Sequence, residues 1–213
     1  MVNANGARRC AMLKHLLSEQ ESRIIRTGSS YLAAVQDNYK AAAMPIDTCP
    51  HSFSELASSV LPKHMTQLRA AMVSPHKASE FAKPGVGPAG IAHACKLPSD
   101  FSGCYVLLEG RKPIYVGISR SVLSRVRQHV SGKSHFDASL VYSIAQRRRP
   151  TPGDRSAVMR DSQFIAEFDR AQHYLRGLDV AFVQIDNPLV LYVFEAYAAM
   201  ELDTAEWNTF RTH

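Results

Sequence analysis

Two hydrophobic periodicities follow one another in the middle of the chain, and together they predict a hairpin followed by a helix. Short runs of apolar, aromatic and β-branched residues at 104–108 and 113–118 are joined by residues 109–112, a connection of hairpin length that contains a glycine. Apolar positions then recur at helical spacing as far as Val130, and Ser119 is placed to cap this helix. The local order is therefore strand, turn, strand, helix.

The rest of the chain supplies one more strand and several helices. A third strand is predicted at 178–185, and a last helix at 189–200 begins after Asn187 and a proline, a favourable helix start. Residues 1–73 carry apolar side chains at helical intervals and are predicted to be helical, with a break or bend at Pro62 in the last segment. Residues 74–100 are rich in proline and glycine and are predicted to be an inter-domain linker. The fold class is α+β.

Composition places the chain among soluble, cytoplasmic proteins. It has 213 residues, of which 46% are hydrophobic, enough to bury a core. No apolar run approaches the length of a membrane span, and the N-terminus lacks the apolar stretch of a signal peptide. The four cysteines are scattered without a CxxC pair, so they are expected to be reduced thiols rather than zinc ligands. No membrane partner is expected.

The net charge of +6 is unevenly distributed. Residues 111–176 contain thirteen Lys and Arg against five Asp and Glu, a net charge of +8. Residues 177–213 contain one Arg against six acids, a net charge of −5. A basic segment of this kind suits a polyanion such as DNA, although it is also compatible with an ordinary solvated surface.

The candidate chemistry lies on the hairpin and the helix that follows it. Tyr105 and Tyr115 stand on the two paired strands, and Arg125 and His129 lie one turn apart on the same helix face. Taken singly, each of these residues is usual for a strand or a helix edge. Taken together, the triplets Gly103-Cys104-Tyr105 and Tyr115-Val116-Gly117, followed by an arginine and a histidine four apart, resemble the core of the GIY-YIG nuclease family.

This resemblance covers about residues 101–213 and implies a three-stranded antiparallel sheet flanked by helices. The family's remaining pieces are a glutamate on a later helix and an asparagine shortly after it, and Glu195 and Asn208 fit those places. Glu195 also stands out by itself, because a lone carboxylate on an apolar helix is costly to bury unless it is paired or bound to a cation. Residues 133–176 would be a basic insertion in the domain. The N-terminal hundred residues remain unexplained.

The resemblance also implies roles for these residues. Glu195 would hold one Mg²⁺, or alternatively Mn²⁺, with water and a phosphate oxygen completing its shell. One of Tyr105 and Tyr115 would activate or position the attacking water; members of the family differ, and Tyr105 is favoured here, with its phenolate promoted by nearby cations. Arg125 would hold the scissile phosphate, and His129 would position the phosphate or nucleophile or join a proton relay.

The predicted partner is DNA, most naturally double-stranded, and a homodimer would bring two active sites to a duplex. Eight residues are predicted to contact it: Arg111, Lys112, Arg120, Lys133, His135, Arg147, Arg148 and Arg149. The expected function is a Mg²⁺-dependent endonuclease, either restriction-type or a repair or structure-specific nuclease. A nucleic-acid-binding module without turnover, or an interaction adaptor working through its N-terminal helices, are the alternatives.

Overall fold

The part of the chain that the structure describes contains a sheet of four antiparallel strands. The computed structural model describes residues 45–210. Its strands are β1 (His76–Lys77), β2 (Gly103–Glu109), β3 (Lys112–Ser119) and β4 (Asp179–Gln184). They lie in the order β1-β4-β2-β3, so β3 is an edge strand. The three strands predicted from the sequence are confirmed as β2, β3 and β4, whereas β1 is a fourth strand that the sequence analysis missed.

Helices surround this sheet. The longer ones are α1 (Leu61–Val73), α2 (Pro88–Ala94), α3 (Val122–Ser131), α4 (Ser139–Arg148), α5 (Ser162–Arg176) and α6 (Pro188–Glu201). Shorter turns occupy Ile46–Thr48, Phe53–Glu55, Ala78–Ala82 and Arg155–Val158. A π-helical segment, Leu56–Val60, leads directly into α1, so the irregularity predicted at Pro62 falls just before that proline. None of the helices within residues 45–210 is long and apolar enough to cross a membrane.

The two faces of the sheet are covered by different helices. Because side chains alternate along a strand, Tyr105 and Leu107 of β2 point to one face and Cys104 and Val106 to the other. We call the first the α3 face, since its core is completed by α2, α3, α4 and α5. We call the second the α6 face, where α1 and α6 cover the strands. The sheet is thus buried on both sides.

The predicted linker at 74–100 is part of the folded core. His76 and Lys77 pair with β4, and the side chains of Phe81 and Ile91 are buried on the α3 face. The prediction of an inter-domain connection was therefore wrong for these residues. Proline and glycine break the helical periodicity there, but the few apolar residues between them are still buried against the sheet. No local sequence pattern predicts this contact.

Other boundaries also differ from the sequence prediction. Helix α1 packs on the α6 face together with β4, so it belongs to the same unit as the sheet rather than to a separate helical region. Residues 146–148, within the segment predicted as a basic insertion, form the last part of α4. Asp161 caps α5, and its carboxylate accepts hydrogen bonds from the backbone N–H groups of Gln163 and Phe164. The helices predicted within residues 1–44 lie outside the described residues.

Candidate active site

The glycines of the two sequence triplets are required by close approaches within the sheet. Gly117 pairs with Tyr105, and a Cβ atom at Gly117 would lie 2.4 Å from the Tyr105 Oη atom. A Cβ atom at Gly103 would lie 2.2 Å from the carbonyl oxygen of Val183 on β4. Any larger side chain would displace the phenol or the neighbouring strand. The glycine of the second triplet therefore makes room for the tyrosine of the first.

Tyr105 and His129 form a buried polar pair. Their side chains are 1% and 0% exposed, and Tyr105 Oη lies 2.7 Å from His129 Nε2. Burial lowers the pKa of His129 to about 3, with a further contribution from the positive charge of Arg125, so the imidazole is neutral at neutral pH. Its Nδ1 atom is buried with no hydrogen-bond partner among the described residues. A neutral imidazole of this kind can accept the phenolic hydrogen of Tyr105.

Tyr115 is placed differently from Tyr105. It is partly exposed and lines a cavity of about 260 Å³ that also contacts Glu195, Trp207 and Asn208. Its ring centroid lies 6.2 Å from that of Tyr105 and 6.2 Å from that of His129. Of the two tyrosines, it is Tyr115 that reaches the cavity, whereas the sequence reasoning favoured Tyr105 as the group acting on water.

Both tyrosines are held in the phenol form at neutral pH. Burial raises the pKa of Tyr105 well above its ordinary value, and the neighbouring Tyr115 raises it further. Burial likewise raises the pKa of Tyr115, with an added contribution from the negative charge of Glu195. Arg125 lowers both pKa values, as the sequence reasoning expected, but burial is the larger effect in each case.

Arg125 is held in place by neutral acceptors. Its guanidinium donates hydrogen bonds to the Asp137 carbonyl at 2.9 Å, to Ser139 Oγ at 2.8 Å and to Gln128 Oε1 at 3.2 Å. Within residues 45–210 no carboxylate pairs with it. Its charge is therefore available to an anion beside the two tyrosines, and a phosphate is the natural ligand for a guanidinium.

Helix α3, which carries Arg125 and His129, is anchored by a residue that sequence reasoning missed. The Asp100 carboxylate accepts hydrogen bonds from the backbone N–H groups of Leu123 at 2.8 Å and Ser124 at 3.0 Å, and from Ser124 Oγ at 2.7 Å. The predicted cap, Ser119, instead accepts from the N–H of Ser121 just outside the helix. A cap that lies more than twenty positions upstream has no signature in the local sequence.

Glu195 lies on the partly exposed side of α6, next to the edge strand. Burial raises the pKa of its carboxyl group, and within the described residues it makes neither a hydrogen bond nor an ion pair. It lines the cavity of Tyr115 and also a second cavity of about 430 Å³. These residues contain no cluster of three or more potential metal ligands, so any cation here would take most of its ligands from water and substrate. An unpaired, half-buried carboxylate facing a cavity fits such a cation.

Asn208 connects the C-terminal segment to the edge strand. Its Oδ1 accepts from the backbone N–H of Val116 at 2.9 Å, and its Nδ2 donates to the carbonyl of the same residue at 2.7 Å. The amide thus replaces the missing neighbour of β3 at the position next to Tyr115. Because the amide bonds to both the N–H and the carbonyl of Val116, Asn208 fixes the position of the strand beside Tyr115.

The residues predicted to contact DNA fall into three groups. Arg111, Lys112, Arg120 and Lys133 are exposed, and their contact with DNA stays a prediction. His135 is only 7% exposed and packs against Phe136 and Tyr142, so it is a core residue with little surface for a phosphate.

The three successive arginines at the end of α4 are exposed but already engaged. Arg147 lies 4.9 Å from the ring centre of Trp207 and 3.4 Å from Glu206. Arg148 lies over Tyr174 and 3.7 Å from Glu167, and Arg149 donates to Gln163. Their contact with DNA remains a prediction, and it would have to compete with these contacts.

Comparison with known proteins adds no relative to this picture. No protein-family model, curated protein or solved structure matches the chain.

Proposed function

We propose that this protein is a GIY-YIG-type endonuclease that hydrolyses phosphodiester bonds in DNA with the help of a divalent cation, Mg²⁺ or alternatively Mn²⁺. The observation that carries the proposal is the convergence of the six motif residues at the edge strand β3. Tyr105, Tyr115 and His129 form one ring cluster, Arg125 acts electrostatically on both tyrosines, and Glu195 and Asn208 line the cavity of Tyr115. These residues are separated by up to a hundred positions in the sequence.

The arrangement of the elements also supports this family. The hairpin β2-β3, the helix α3 after it, the strand β4 beside β2 and the helix α6 follow the order that the resemblance implies. Strand β1 and helices α4 and α5 would be additions to the family's three-stranded core. Helices α4 and α5 pack against each other on the α3 face and support α3 from behind.

The reaction needs an activated water, a bound phosphate and a stabilised leaving oxygen. The water oxygen bonds to phosphorus while one bridging P–O bond breaks, and a phosphate monoester and a hydroxyl group result. A cation held by Glu195 would supply charge stabilisation and an acidified water. Arg125 would bind the non-bridging oxygens and the charge that builds on them. Glu195 lines the Tyr115 cavity, and Arg125 donates a hydrogen bond to Ser139, which also lines it.

The two tyrosines would together orient the attacking water. Tyr115 touches the cavity, so it would accept a hydrogen bond from the attacking water and orient it. Tyr105 is buried and would act through its contacts, donating its hydrogen to His129 and directing its oxygen towards Tyr115. On this view Tyr115 is the catalytic tyrosine, and Tyr105 and His129 are positioning residues.

Double-stranded DNA is the partner that the exposed basic residues suit, and Arg111, Lys112 and Arg120 lie on the hairpin that carries both tyrosines or directly after it. A homodimer would place two such sites on a duplex. Restriction-type and structure-specific cleavage share this chemistry, and they differ in which DNA is recognised.

Incubation of supercoiled and linear plasmid with the wild-type protein and the Glu195→Ala variant, in Mg²⁺ or in EDTA, tests the proposal. Discrete fragments that require both Mg²⁺ and Glu195 are expected for a sequence-specific enzyme, and nicking would indicate a repair-type activity. Salt-sensitive DNA binding without any cleavage would favour a binding module and overturn the proposed hydrolysis.

A further inference from the structure

A second cavity, distinct from that of Tyr115, is also lined by Glu195. It has a volume of about 430 Å³, within the range of small-molecule sites, and its walls include Ile118, Leu191 and Pro188. Glu195 lines both this cavity and that of Tyr115. A substrate held at Glu195 therefore has a largely apolar recess immediately beside its reacting phosphate.

An exposed aromatic side chain stands in the wall of this recess. Tyr192 precedes Glu195 by one helical turn on α6, and 64% of its surface is exposed. Among the described residues no aromatic ring or cation packs on it. An exposed aromatic ring offers a flat surface on which a planar group can stack.

The lining of the recess carries charge of both signs. Arg120 is exposed and makes no ion pair within residues 45–210, so it is available to a phosphate. Asp186 is also exposed, and its carboxylate accepts a hydrogen bond from Gln184. A nucleotide site needs apolar walls and an aromatic face for the base and a cationic group for the phosphate. The recess provides all three.

We infer that this recess, which we call the Tyr192 pocket, receives the unpaired base of a nucleotide adjacent to the scissile phosphate, stacked on Tyr192 with its phosphate at Arg120. The inference rests on the proposed function, because it places the scissile phosphate at Glu195. A base inside a duplex is stacked on both faces and paired at its edge, so it cannot lie against Tyr192 without leaving the helix. The substrate class is therefore DNA with an unpaired nucleotide beside the cut.

Oligonucleotides of one sequence test this in three forms: a fully paired duplex, the same duplex with a single-nucleotide bulge, and a bulge that carries an abasic site. The wild type is expected to cleave next to the bulge at least about tenfold faster than in the paired duplex, a factor within the range of one base–aromatic stack. Tyr192→Ala should remove most of this preference, and Tyr192→Phe, which keeps the ring, should retain it. With the abasic bulge, the wild type should lose as much of its cleavage rate as Tyr192→Ala loses on the normal bulge. Combining Tyr192→Ala with the abasic bulge should cause no further loss.

A binding measurement separates this inference from the proposed hydrolysis. With 2-aminopurine in the bulge and EDTA present, wild type and Tyr192→Phe should quench the fluorescence, whereas Tyr192→Ala should not. Glu195-dependent cleavage without a bulge preference or a Tyr192 effect would overturn the pocket and leave the proposed function standing. Quenching that depends on residue 192, without cleavage of any substrate, would support the pocket and refute the hydrolysis. Equal quenching by all three proteins would overturn the pocket.

Discussion

The two faces of the sheet bury very different side chains. The α6 face is sealed by aliphatic residues and by Phe194 from α6. The α3 face buries polar groups as well, including His129, His135 and Gln172, and it also takes the phenol of Tyr105. Tyr105 and Gln172 are hydrogen-bonded, whereas the Nδ1 atom of His129 is buried without a partner within residues 45–210, so it costs free energy on the α3 face.

The candidate site lies where these two faces meet at the edge strand β3. Tyr115 and Arg125 come from the α3 side, whereas Glu195 comes from α6 on the other side. The apolar face therefore acts as a rigid support that holds one carboxylate at the edge. On the proposed function, the polar face would supply the groups that bind and orient the substrate, and changes on the two sides should have separable effects on stability and activity.

The largest effect is expected for Glu195→Gln. Loss of the carboxylate should reduce cleavage on the order of a thousandfold, since a bound cation contributes several kcal/mol to the transition state. The same variant should melt at a higher temperature at pH 7, because burial disfavours the ionised form. This gain should shrink as the pH falls through the raised pKa of the group, where the wild-type carboxyl becomes protonated. Thermal melts across pH, with plasmid cleavage alongside, measure both effects.

Glu201→Gln is the matched control for this prediction. Glu201 lies on the same helix, is exposed and pairs with Arg69 at 2.9 Å. Its replacement should leave cleavage unchanged. If Glu201→Gln were as inactive as Glu195→Gln, the special role of Glu195 would be refuted.

Substitution of Tyr115 should mainly lower activity, whereas substitution of Tyr105 should mainly lower stability. Tyr115→Phe should lower kcat by about a hundredfold, as expected for loss of a group that acts directly on the nucleophile, with little change in melting temperature. Tyr105→Phe removes the only hydrogen-bond partner of the His129 ring among the described residues, and it should cost about 1–3 kcal/mol of stability. Steady-state kinetics and urea unfolding of both variants measure kcat and the free energy of unfolding. A larger loss of kcat in Tyr105→Phe would reverse the assigned roles.

Gly117→Ala should disturb the α3 face without removing any functional group. The new methyl group would meet the Tyr105 phenol, so the free energy of unfolding should fall by about 1–3 kcal/mol, and cleavage should fall with it. Gly87→Ala is the control, because its Cβ atom would meet nothing within 4 Å. Equal stability of the two variants would mean that Tyr105 does not lie over Gly117.

Acid should destabilise the protein through His129. The folded pKa of about 3 lies below the ordinary value of 6.5, so between these values the unfolded chain binds a proton that the folded chain excludes. The stability contributed by the neutral imidazole is therefore present above pH 6.5 and is lost as the pH falls towards 3, by up to about 1.4 kcal/mol per pH unit. Denaturant unfolding of wild type and His129→Gln from pH 7 to 4 should show a shallower slope for the variant. Parallel slopes would contradict a neutral, buried His129.

The smallest effect is expected at Arg147. Its contacts with Trp207 and Glu206 hold the C-terminal segment that carries Asn208, so Arg147→Ala should cost about 0.5–1 kcal/mol of stability and lower kcat modestly. A structural role would leave the salt dependence of DNA binding unchanged, whereas a phosphate contact would reduce its slope by about one. Arg149→Ala, which loses only a contact with Gln163, provides the comparison.

Much of the core could be predicted because its signals are local. Short apolar, aromatic and β-branched runs marked β2 and β3, an apolar run marked β4, and a repeat near 3.6 residues marked α3. Asn187 and the proline after it marked the start of α6, and the Asn187 side chain caps that helix. Strand β1 was not predicted, because a strand of two residues is too short to show a pattern in the sequence. The capping of α3 by Asp100 was not predicted, because the residues that it caps are distant in the sequence.

The sequence by itself determined which residue types are present and which face of each strand or helix they occupy, because backbone geometry sets those periods. Only the tertiary structure decided that Tyr115 rather than Tyr105 reaches the cavity, that His135 is buried, and that burial outweighs Arg125 in setting both tyrosine pKa values. The reason is physical. Exposure and desolvation depend on everything packed around a side chain, including α4, α5 and the C-terminal segment, and no local pattern carries that information.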